Sequence, residues 1–215
     1  MNFLEVLCEG SSDVPAVREV LTRRFELVEE ETFRIHPHQG KGRLPGSDRL
    51  LKAPPGRQNQ LLTQLPIKLK NYGSQAVGGY ATSVLVLVDA DREDCRSLKE
   101  RLATVYENLP TKPERCLFRI AVEETESWFL ADPDAVKGAY PRAKVAALRR
   151  HAPDSVCGAW ERLAEAIGED PRACTGADKV RWAEKISPFL DLEEPRSPSL
   201  AALINGVPGL LAGDP

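Results

Sequence analysis

The sequence of 215 residues predicts an α/β fold: a three-layer domain with a mainly parallel sheet, followed by a C-terminal helical extension. Over about the first 130 residues, short apolar runs alternate with segments of helical periodicity, an order typical of parallel sheets. The run SVLVLVD (residues 83–89) is apolar on both faces, as expected of a central strand covered by helices on both sides. We therefore expect an α/β domain at 1–132 and a helical extension at 133–215.

The first two predicted strands each precede a predicted helix. FLEVLCEG (residues 3–10) is an apolar-rich run that ends in glycine, which favours a buried strand. SSDVPAVREVLTRRFEL (11–27) begins with capping residues, has a proline near its first turn and repeats apolar residues at helical spacing, so it is predicted to be a helix. TFRIHPH (32–38) is the second predicted strand, and helical signals return in LLTQLPIKLK (61–70).

The pattern continues after the central strand. CRSLKERLATVYENL (95–109) is predicted to be a helix, and RCLFRIAVEE (115–124) to be the fourth strand. TESWFLADPDAVKGAY (125–140) is helical with a break expected at Pro133. Only helical patterns follow, separated by Gly, Pro and Asp: SVCGAWERLAEAIG, GADKVRWAEKISPFL and SLAALINGVPGLL.

Composition excludes several classes of protein. Apolar residues make up 42% and charged residues 28% of the chain, and no window approaches the roughly 18 uninterrupted apolar residues of a membrane span. The N-terminus has no basic region of the kind that begins a secretory signal, so we expect a cytoplasmic protein that does not enter a membrane. The five cysteines are widely spaced, which favours reduced thiols over disulfides or a zinc site. His36 and His38 are expected in a surface loop.

The net charge of -3 conceals a strong local asymmetry. Residues 33–72 contain eight Lys or Arg and one acid, a charge of +7 that leaves -10 for the rest of the chain. KGAYPRAKVAALRRH (137–151) contains five Lys or Arg and no acid. A polyanion such as nucleic acid could dock on either stretch, and an ordinary solvated basic face is an equally open interpretation.

Acidic residues follow three of the four predicted strands. Glu9 follows the first strand, Asp89 and Asp91 end the central one, and Glu123 and Glu126 follow the fourth. If these strands are parallel neighbours, their carboxyl ends lie at one edge of the sheet, where ligands bind in such folds. Residues i and i+2 of an extended segment point the same way, so both aspartates could reach one site. Carboxylates brought together in this way need protons or a cation, and Mg²⁺ suits oxygen ligands.

The competing interpretation is that these acids cap helices. An acid after a strand often caps the next helix or complements its dipole, and for Glu124, Asp94 and Asp132 we favour that role. A lone D-x-D pair is weak evidence for a metal. Three acidic strand ends in one short domain favour the metal interpretation for Asp89 and Asp91.

The glutamate in CEGSSD and the later strand ending in VDAD resemble the Toprim domain of topoisomerases, primases and OLD-family nucleases. The resemblance covers about residues 1–130. It implies that Glu9 is a general acid or base and that Asp89 and Asp91 hold Mg²⁺ or Mn²⁺. A catalytic tyrosine domain of the topoisomerase kind has no counterpart in the sequence, so strand passage is not expected.

Further segments resemble an uncharacterised bacterial Toprim-like family: HPHQGKGRL, VEETESWFLADPDAV, YPRAK, DKVRWAEKISPFL and RSPSL. Members of that family are often encoded beside an AAA or ABC-type ATPase in suspected phage-defence loci. The resemblance therefore implies an ATPase partner. OLD-type nucleases place a further acid and a basic residue near the metals, and the local candidates are Glu123 or Glu126 and Lys41.

Two functions follow from these observations. The first is a Mg²⁺-dependent nuclease that acts on DNA or on RNA such as tRNA, as an effector of anti-phage defence, with Lys41, Arg43, Arg49 and Arg57 binding the nucleic acid. The second is a non-catalytic Toprim-like subunit that binds nucleic acid or an ATPase, with its helical extension as the interface. A haloacid-dehalogenase-like phosphatase is disfavoured because its D-x-D follows the first strand. A metal-dependent nucleotidyl transferase stays open because the same two-ion geometry would serve it, although no glycine-serine motif favours it.

Overall fold

A parallel sheet of four strands lies at the centre of the fold. The computed structural model describes residues 3–52, 59–76, 82–148, 152–154 and 158–212. The strands lie in the order β2-β1-β3-β4, and each neighbouring pair is parallel. The sheet confirms the predicted fold class and all four predicted strands: β1 (Phe3–Cys8), β2 (Phe33–Pro37), β3 (Thr82–Asp89) and β4 (Cys116–Ala121).

Helices cover both faces of this sheet. Alternate residues of the central strand enter two different apolar cores, with Leu85 and Leu87 on one face and Val84, Val86 and Val88 on the other. The side chains of α2 and α3 fill the second core, whereas α1 packs in the first. This is the three-layer arrangement predicted from the doubly apolar central strand. The helices between the strands are α1 (Asp13–Glu19, continued by a π-helical turn at Val20–Arg24), α2 (Leu61–Ala76) and α3 (Cys95–Glu107).

The described residues after β4 form helices and connections. The break expected at Pro133 is confirmed, because α4 ends at Ala131 and Asp132 caps the next helix by accepting a hydrogen bond from the Ala135 amide at 3.0 Å. The helices are α4 (Glu126–Ala131), α5 (Pro133–Ala139), α6 (Val145–Leu148), α7 (Ala159–Ile167), α8 (Gly176–Ile186), α9 (Pro198–Gly206) and α10 (Pro208–Leu211).

The C-terminal helices share the first apolar core with the sheet. Leu163, Trp182 and Leu203 belong to the same buried cluster as Val6 of β1. Polar contacts add to this packing, because Arg119 of β4 donates a hydrogen bond to the Ala202 carbonyl oxygen at 2.7 Å. The core is therefore continuous across position 132, and the division at 132/133 stays a prediction.

The structure bears on the expectations about membrane spans and about cysteines. No helix within the described ranges combines the length and apolar character needed to cross a bilayer. Cys8, Cys95, Cys116 and Cys174 are free thiols, and Cys157 lies outside the described residues.

The order of the strands brings three acidic strand ends together. β1, β3 and β4 are neighbours, and Asp89 lies opposite Ala121 in the register of β3 and β4. Pairing continues beyond the strands, since the Asp91 amide donates to the Glu123 carbonyl oxygen at 2.9 Å. The carboxyl ends of these strands therefore form one edge, which we call the acidic edge.

Candidate metal centre

Carboxylates from three segments lie at the acidic edge. Glu9 follows β1, Asp89 ends β3, and Glu126 begins the helix after β4. The charges are close enough to perturb one another: after burial, the charges of Asp13, Glu9 and Glu126 raise the pKa of Asp89 well above its ordinary value. The predicted convergence of Glu9, Asp89 and Glu126 is therefore present.

Two buried carboxylate oxygens at this edge have neither a hydrogen bond nor an ion pair with a described residue, whereas a third, Glu126 Oε1, lies 3.1 Å from Lys179 Nζ. Glu9 Oε2 and Asp89 Oδ1 have no hydrogen-bond partner in the part of the chain that the structure describes. Burying an acceptor without a partner is unfavourable, and burying a charged one is more so. These atoms need a proton or a cation.

Burial also decides the protonation of this edge. It raises the pKa of Glu9 to about 7, with smaller contributions from the charges of Asp91 and Asp13, while Lys41 acts in the opposite direction. Burial likewise raises the pKa of Glu126 to about 7, against the effect of Lys179. Without a cation, part of the acidic edge holds protons near neutral pH.

Asp13 belongs to this cluster, although its sequence context indicated only a helix cap. Its side chain is 2% exposed. Oδ2 accepts a hydrogen bond from the Gly10 amide at 2.9 Å, and Oδ1 accepts one from the Thr125 hydroxyl at 2.8 Å. Asp13 thus connects the segment after β1 to the segment after β4, and burial raises its pKa.

Asp91 differs from Asp89 in conformation and environment. It lies in the left-handed backbone region at φ 52°, so the expectation of an extended segment that points both aspartates the same way is not met. Its exposed carboxylate pairs with Lys41, with 3.0 Å between Nζ and Oδ2. Lys41 also pairs with Glu93 at 2.8 Å and donates to the Ala90 carbonyl oxygen at 3.2 Å.

The two glycines around Lys41 explain how this lysine reaches the edge. Gly40 and Gly42 have φ values of 90° and 67°, which glycine adopts without strain. A Cβ on Gly42 would lie 2.6 Å from Gln60 Cβ, so the loop packs tightly on the start of α2, whereas a Cβ on Gly40 would meet open space. The Gly40 amide donates to the Glu9 carbonyl oxygen at 3.0 Å and fixes the loop beside the acidic edge.

A second lysine enters from the C-terminal helices. Lys179 of α8 lies 3.1 Å from Glu126 Oε1 and 3.2 Å from Glu124 Oε2. Burial alone would lower the pKa of Lys179, but Glu126 and Glu124 outweigh it and raise the pKa. Sequence reasoning missed this lysine, because nothing local connects it to a strand end more than fifty residues earlier.

Glu123 performs a different task from the one proposed for it. It adopts a left-handed backbone conformation, φ 63°, and its two carboxylate oxygens accept hydrogen bonds from the Gly158 and Ala159 amides, the latter at 2.9 Å. These amides begin α7, so Glu123 caps that helix from a distance. The geometry does not support Glu123 as a metal ligand and favours Glu126.

The predicted nucleic-acid contacts lie in varied surroundings. Arg43 is exposed and has no side-chain ion pair with another described residue, whereas Arg49 lies 3.7 Å from Asp48. Arg57 lies outside the described residues. Three further exposed cations near the D-x-D pair, which the sequence analysis did not select, have no ion-pair partner within the described ranges: Arg92, Arg96 and Lys99.

The expectation of a surface loop for the two histidines is wrong. His36 lies in β2, where its Nε2 is 2.5 Å from Glu5 Oε2. His38 is 5% exposed and its Nδ1 is 2.8 Å from the Cys8 carbonyl oxygen. β2 extends to Pro37, and the His38 amide then donates a hydrogen bond to the Cys8 carbonyl oxygen. This pairing holds His38 in a buried position.

The arrangement suits a metal that keeps much of its hydration. Among the residues that the structure describes, no group of three or more His, Cys, Asp or Glu side chains is placed to hold a metal ion. Mg²⁺ commonly binds through one or two carboxylates and retains waters. The unsatisfied oxygens of Glu9 and Asp89 fit that requirement, with Asp91 and Glu126 close by.

Comparisons with known proteins agree with the fold. The chain is similar to the C-terminal region of the Burkholderia pseudomallei OLD protein (TM-score 0.56, 14% identity, covering 97% of this chain and 98% of that one). It is also similar to the C-terminal region of the Xanthomonas campestris pv. campestris OLD protein (TM-score 0.50, 14% identity, covering 95% and 93%). At this identity the likeness shows the Toprim-like fold alone, and no curated protein matches in sequence. Residues 8–207 match the family described as "Domain of unknown function (DUF4276)", and the chain belongs to that family.

Proposed function

We propose that this protein is a Mg²⁺-dependent nuclease of the Toprim type, able to use Mn²⁺, that hydrolyses phosphodiester bonds of DNA or RNA. One observation carries the proposal: Glu9 Oε2 and Asp89 Oδ1 are buried at one sheet edge with no partner among the described residues. Buried polar groups are usually hydrogen-bonded, so two unsatisfied carboxylates at one sheet edge indicate a ligand. The fold shared with OLD C-terminal regions is compatible with this activity.

The charge balance of the edge favours a divalent cation. Six carboxyl groups lie near one another there: Glu9, Asp13, Asp89, Asp91, Glu124 and Glu126. Among the described residues, Lys41 and Lys179 are the cations that pair with members of this group. Each carboxylate that loses its proton increases the repulsion within the cluster. A divalent cation bound there would offset this repulsion.

In this proposal Glu9 and Asp89 would hold the metal, with Asp91 and Glu126 at its margin. Bound there, Mg²⁺ would activate water and stabilise the attacking and leaving oxygens of the phosphodiester. Glu9, with a pKa of about 7, suits transfer of a proton to or from the reacting oxygen. Lys41 and Lys179 place positive charge beside the phosphate, and Asp13 orients the segment that carries Glu9.

Nucleic acid is the substrate class that fits the surrounding charge. The segment 33–72, with a charge of +7, contributes Lys41 and Arg43 beside an otherwise acidic chain. We assign phosphate contacts to Arg43, Arg49 and Arg57, and add Arg92 on the turn after the D-x-D pair. Such contacts supply affinity that does not depend on base sequence.

A non-catalytic subunit that binds nucleic acid or an ATPase is the second candidate. It is favoured by Lys41 and Lys179, which already pair with Asp91 and Glu126 and so neutralise part of the edge without a metal. An interface on the helical extension would not include Trp182, because this side chain is fully buried. The ATPase partner and the role in anti-phage defence rest on the family resemblance.

Calorimetric titration with Mg²⁺ tests the proposal, using wild type and the double variant Asp89→Asn/Asp91→Asn. We expect millimolar or tighter binding by wild type and its loss in the variant. Asp48→Asn, at an exposed aspartate in the basic segment, is the matched control and should bind as wild type does.

The same proteins are then incubated with plasmid, single-stranded DNA and RNA. Metal-dependent cleavage by wild type and the control, but not by the double variant, supports the nuclease. Metal binding without cleavage of any substrate favours the second candidate. A folded wild type that binds no Mg²⁺ contradicts the metal site.

A further inference from the structure

A cavity of about 610 Å³ opens between the basic segment and helix α3. Its apolar walls come from Leu44, Pro45 and Leu50 of that segment and from Val105 of the helix. Leu44 and Leu50 also pack against the apolar core between α2, α3 and the sheet, so these walls are anchored to the fold. The volume falls within the range of pockets for small organic groups.

One side of the cavity is polar. Ser47 faces a stripe of α3 formed by Arg101, Thr104 and Asn108, residues whose spacing of three and seven places them on one helical face. The Thr104 hydroxyl donates to the Glu100 carbonyl oxygen at 2.8 Å, and Asn108 Nδ2 donates to the Thr104 carbonyl oxygen at 2.7 Å. The remaining oxygen lone pairs and the guanidinium of Arg101 can bind a polar planar ligand.

A chain of ion pairs links the cavity to the acidic edge. Arg101 in its wall pairs with Glu93, Glu93 lies 2.8 Å from Lys41 Nζ, and Lys41 lies 3.0 Å from Asp91. The cavity and the proposed metal centre are therefore neighbours along the same surface. A ligand that extends from one to the other would pass Lys41, whose positive charge favours an anionic group there.

Cations flank one wall of the cavity along the chain. Arg43 and Lys52 lie at the ends of the segment that forms one wall, and both are exposed with no ion pair to a described residue. Arg49 lies between them. A strand of nucleic acid meets these requirements, because its phosphates match the cations next to this wall segment and its bases match a cavity with apolar walls and one polar side.

We propose that this cavity binds one unpaired nucleobase of the substrate, next to the phosphate held at the acidic edge. The proposal rests on the proposed function for its substrate class. No aromatic side chain among the described residues lines the cavity, so the base packs between Leu44, Pro45 and Leu50 and the plane of Arg101. Guanidinium planes stack on bases as aromatic rings do. A paired base cannot enter, so single strands and unpaired nucleotides bind more tightly than duplex.

Filling the cavity from its rim tests this inference. Thr104 is exposed on α3, so Thr104→Trp occupies the cavity without disturbing the core. Ala103→Trp is the matched control, since Ala103 is exposed on the same helix and does not line the cavity. Fluorescence anisotropy with a labelled single-stranded oligonucleotide of about twelve nucleotides, in buffer without divalent cations, measures binding independently of cleavage.

We expect Thr104→Trp to weaken binding at least fivefold and Ala103→Trp to leave it within twofold of wild type. A series of oligonucleotides, each with one abasic position, locates the base that enters the cavity. At one position the missing base should weaken binding to wild type by a similar factor and leave binding to Thr104→Trp unchanged. Equal affinities for the two variants, or no oligonucleotide binding by wild type, would overturn the assignment. If only Thr104→Trp loses affinity, the base site is supported even when no substrate is cleaved. If wild type cleaves a substrate but the two variants bind the oligonucleotide equally, the base site is refuted and the nuclease proposal stands.

Discussion

Two kinds of carboxylate occur among the described residues, and they differ in hydrogen bonding rather than in position along the chain. Glu123 and Asp132 each accept two backbone hydrogen bonds: Glu123 from the start of α7, and Asp132 from the Ala135 and Asp191 amides at 3.0 and 2.9 Å. Glu9 and Asp89 each keep a buried oxygen without a partner among the described residues. Complete satisfaction is typical of structural groups, and incomplete satisfaction of ligand sites.

The difference has opposite consequences for stability. A carboxylate that accepts backbone hydrogen bonds holds two segments together, so its removal destabilises the protein. A buried carboxylate with an unsatisfied oxygen opposes folding, so its removal is neutral or stabilising, and the protein retains it for function. Activity and stability measured together therefore separate the two kinds.

Glu9→Gln gives the largest expected effect. The amide keeps the shape of the side chain but has no charge for a metal and accepts no proton at neutral pH. We expect metal-dependent cleavage to fall at least 100-fold, within the range typical of lost acid-base catalysis. The melting temperature should stay the same or rise, because a buried carboxyl with a pKa of about 7 is removed.

Plasmid cleavage and thermal unfolding of the same preparation check this prediction. Glu165→Gln, at an exposed glutamate of α7, is a suitable control. Cleavage within tenfold of wild type would show that Glu9 is not catalytic. A large loss of stability in Glu9→Gln would show that Glu9, like Glu123, holds the fold together.

Glu123→Ala should produce the reverse pattern. The variant loses the two hydrogen bonds that join the segment after β4 to the start of α7. We expect the free energy of unfolding to fall by about 2 kcal/mol, as for lost caps and charged hydrogen bonds. Cleavage per folded molecule should change less than threefold. Urea unfolding measures the loss, Glu165→Ala controls for the loss of a glutamate, and abolished metal binding in a stable variant would return Glu123 to the ligand set.

The pH dependence of the metal-free protein forms a third test. The pKa of Glu9 rises from an ordinary 4.5 to about 7 on folding, so the folded state holds a proton that the unfolded state releases. Its contribution to stability is therefore complete below pH 4.5, declines between pH 4.5 and 7, and stays low above pH 7. From pH 5 to 7.5, wild type should lose about 1 kcal/mol more than Glu9→Gln, allowing for solvent screening. Urea unfolding in chelator at each pH measures this, and parallel curves for the two proteins would contradict it.

Much of the fold follows from local patterns. The apolar run of β3 and the alternation of strands and helices predict a parallel sheet, because a strand covered on both faces has no polar side. The ends of β1 and β3 place Glu9 and Asp89 at one edge, since parallel neighbours end together. Local sequence therefore accounts for the parts of the candidate site that are attached to strand ends.

The rest depends on contacts between distant segments. Lys179 of α8 contacts Glu126 across more than fifty residues of sequence. Glu123 caps α7 because the chain brings the Gly158 amide within hydrogen-bonding distance of its carboxylate. Asp91 adopts a left-handed conformation that an alternating strand pattern does not predict. Tertiary packing decides which acids find backbone partners, and a single sequence does not reveal it.

The comparison extends to cations, where the expected effect is smallest. Arg34 is held by Glu30, with hydrogen bonds of 2.8 and 2.6 Å, whereas Arg43 has no ion-pair partner among the described residues. An arginine already neutralised by a carboxylate contributes little to binding a polyanion, and an unpaired one can take up a phosphate and release its counterion. Arg43→Ala should therefore weaken oligonucleotide binding twofold to fivefold, and Arg34→Ala should leave it unchanged.

Salt dependence separates a phosphate contact from a general loss of charge. Removing one phosphate contact lowers the slope of log affinity against log salt by about 0.7 for a single strand, whatever the base sequence. Arg43→Ala should show this smaller slope, while Arg34→Ala keeps the wild-type slope although both variants lose one positive charge. Equal slopes in the two variants would mean that net charge rather than pairing state governs binding, and the distinction drawn between satisfied and unsatisfied groups would then hold only for the carboxylates.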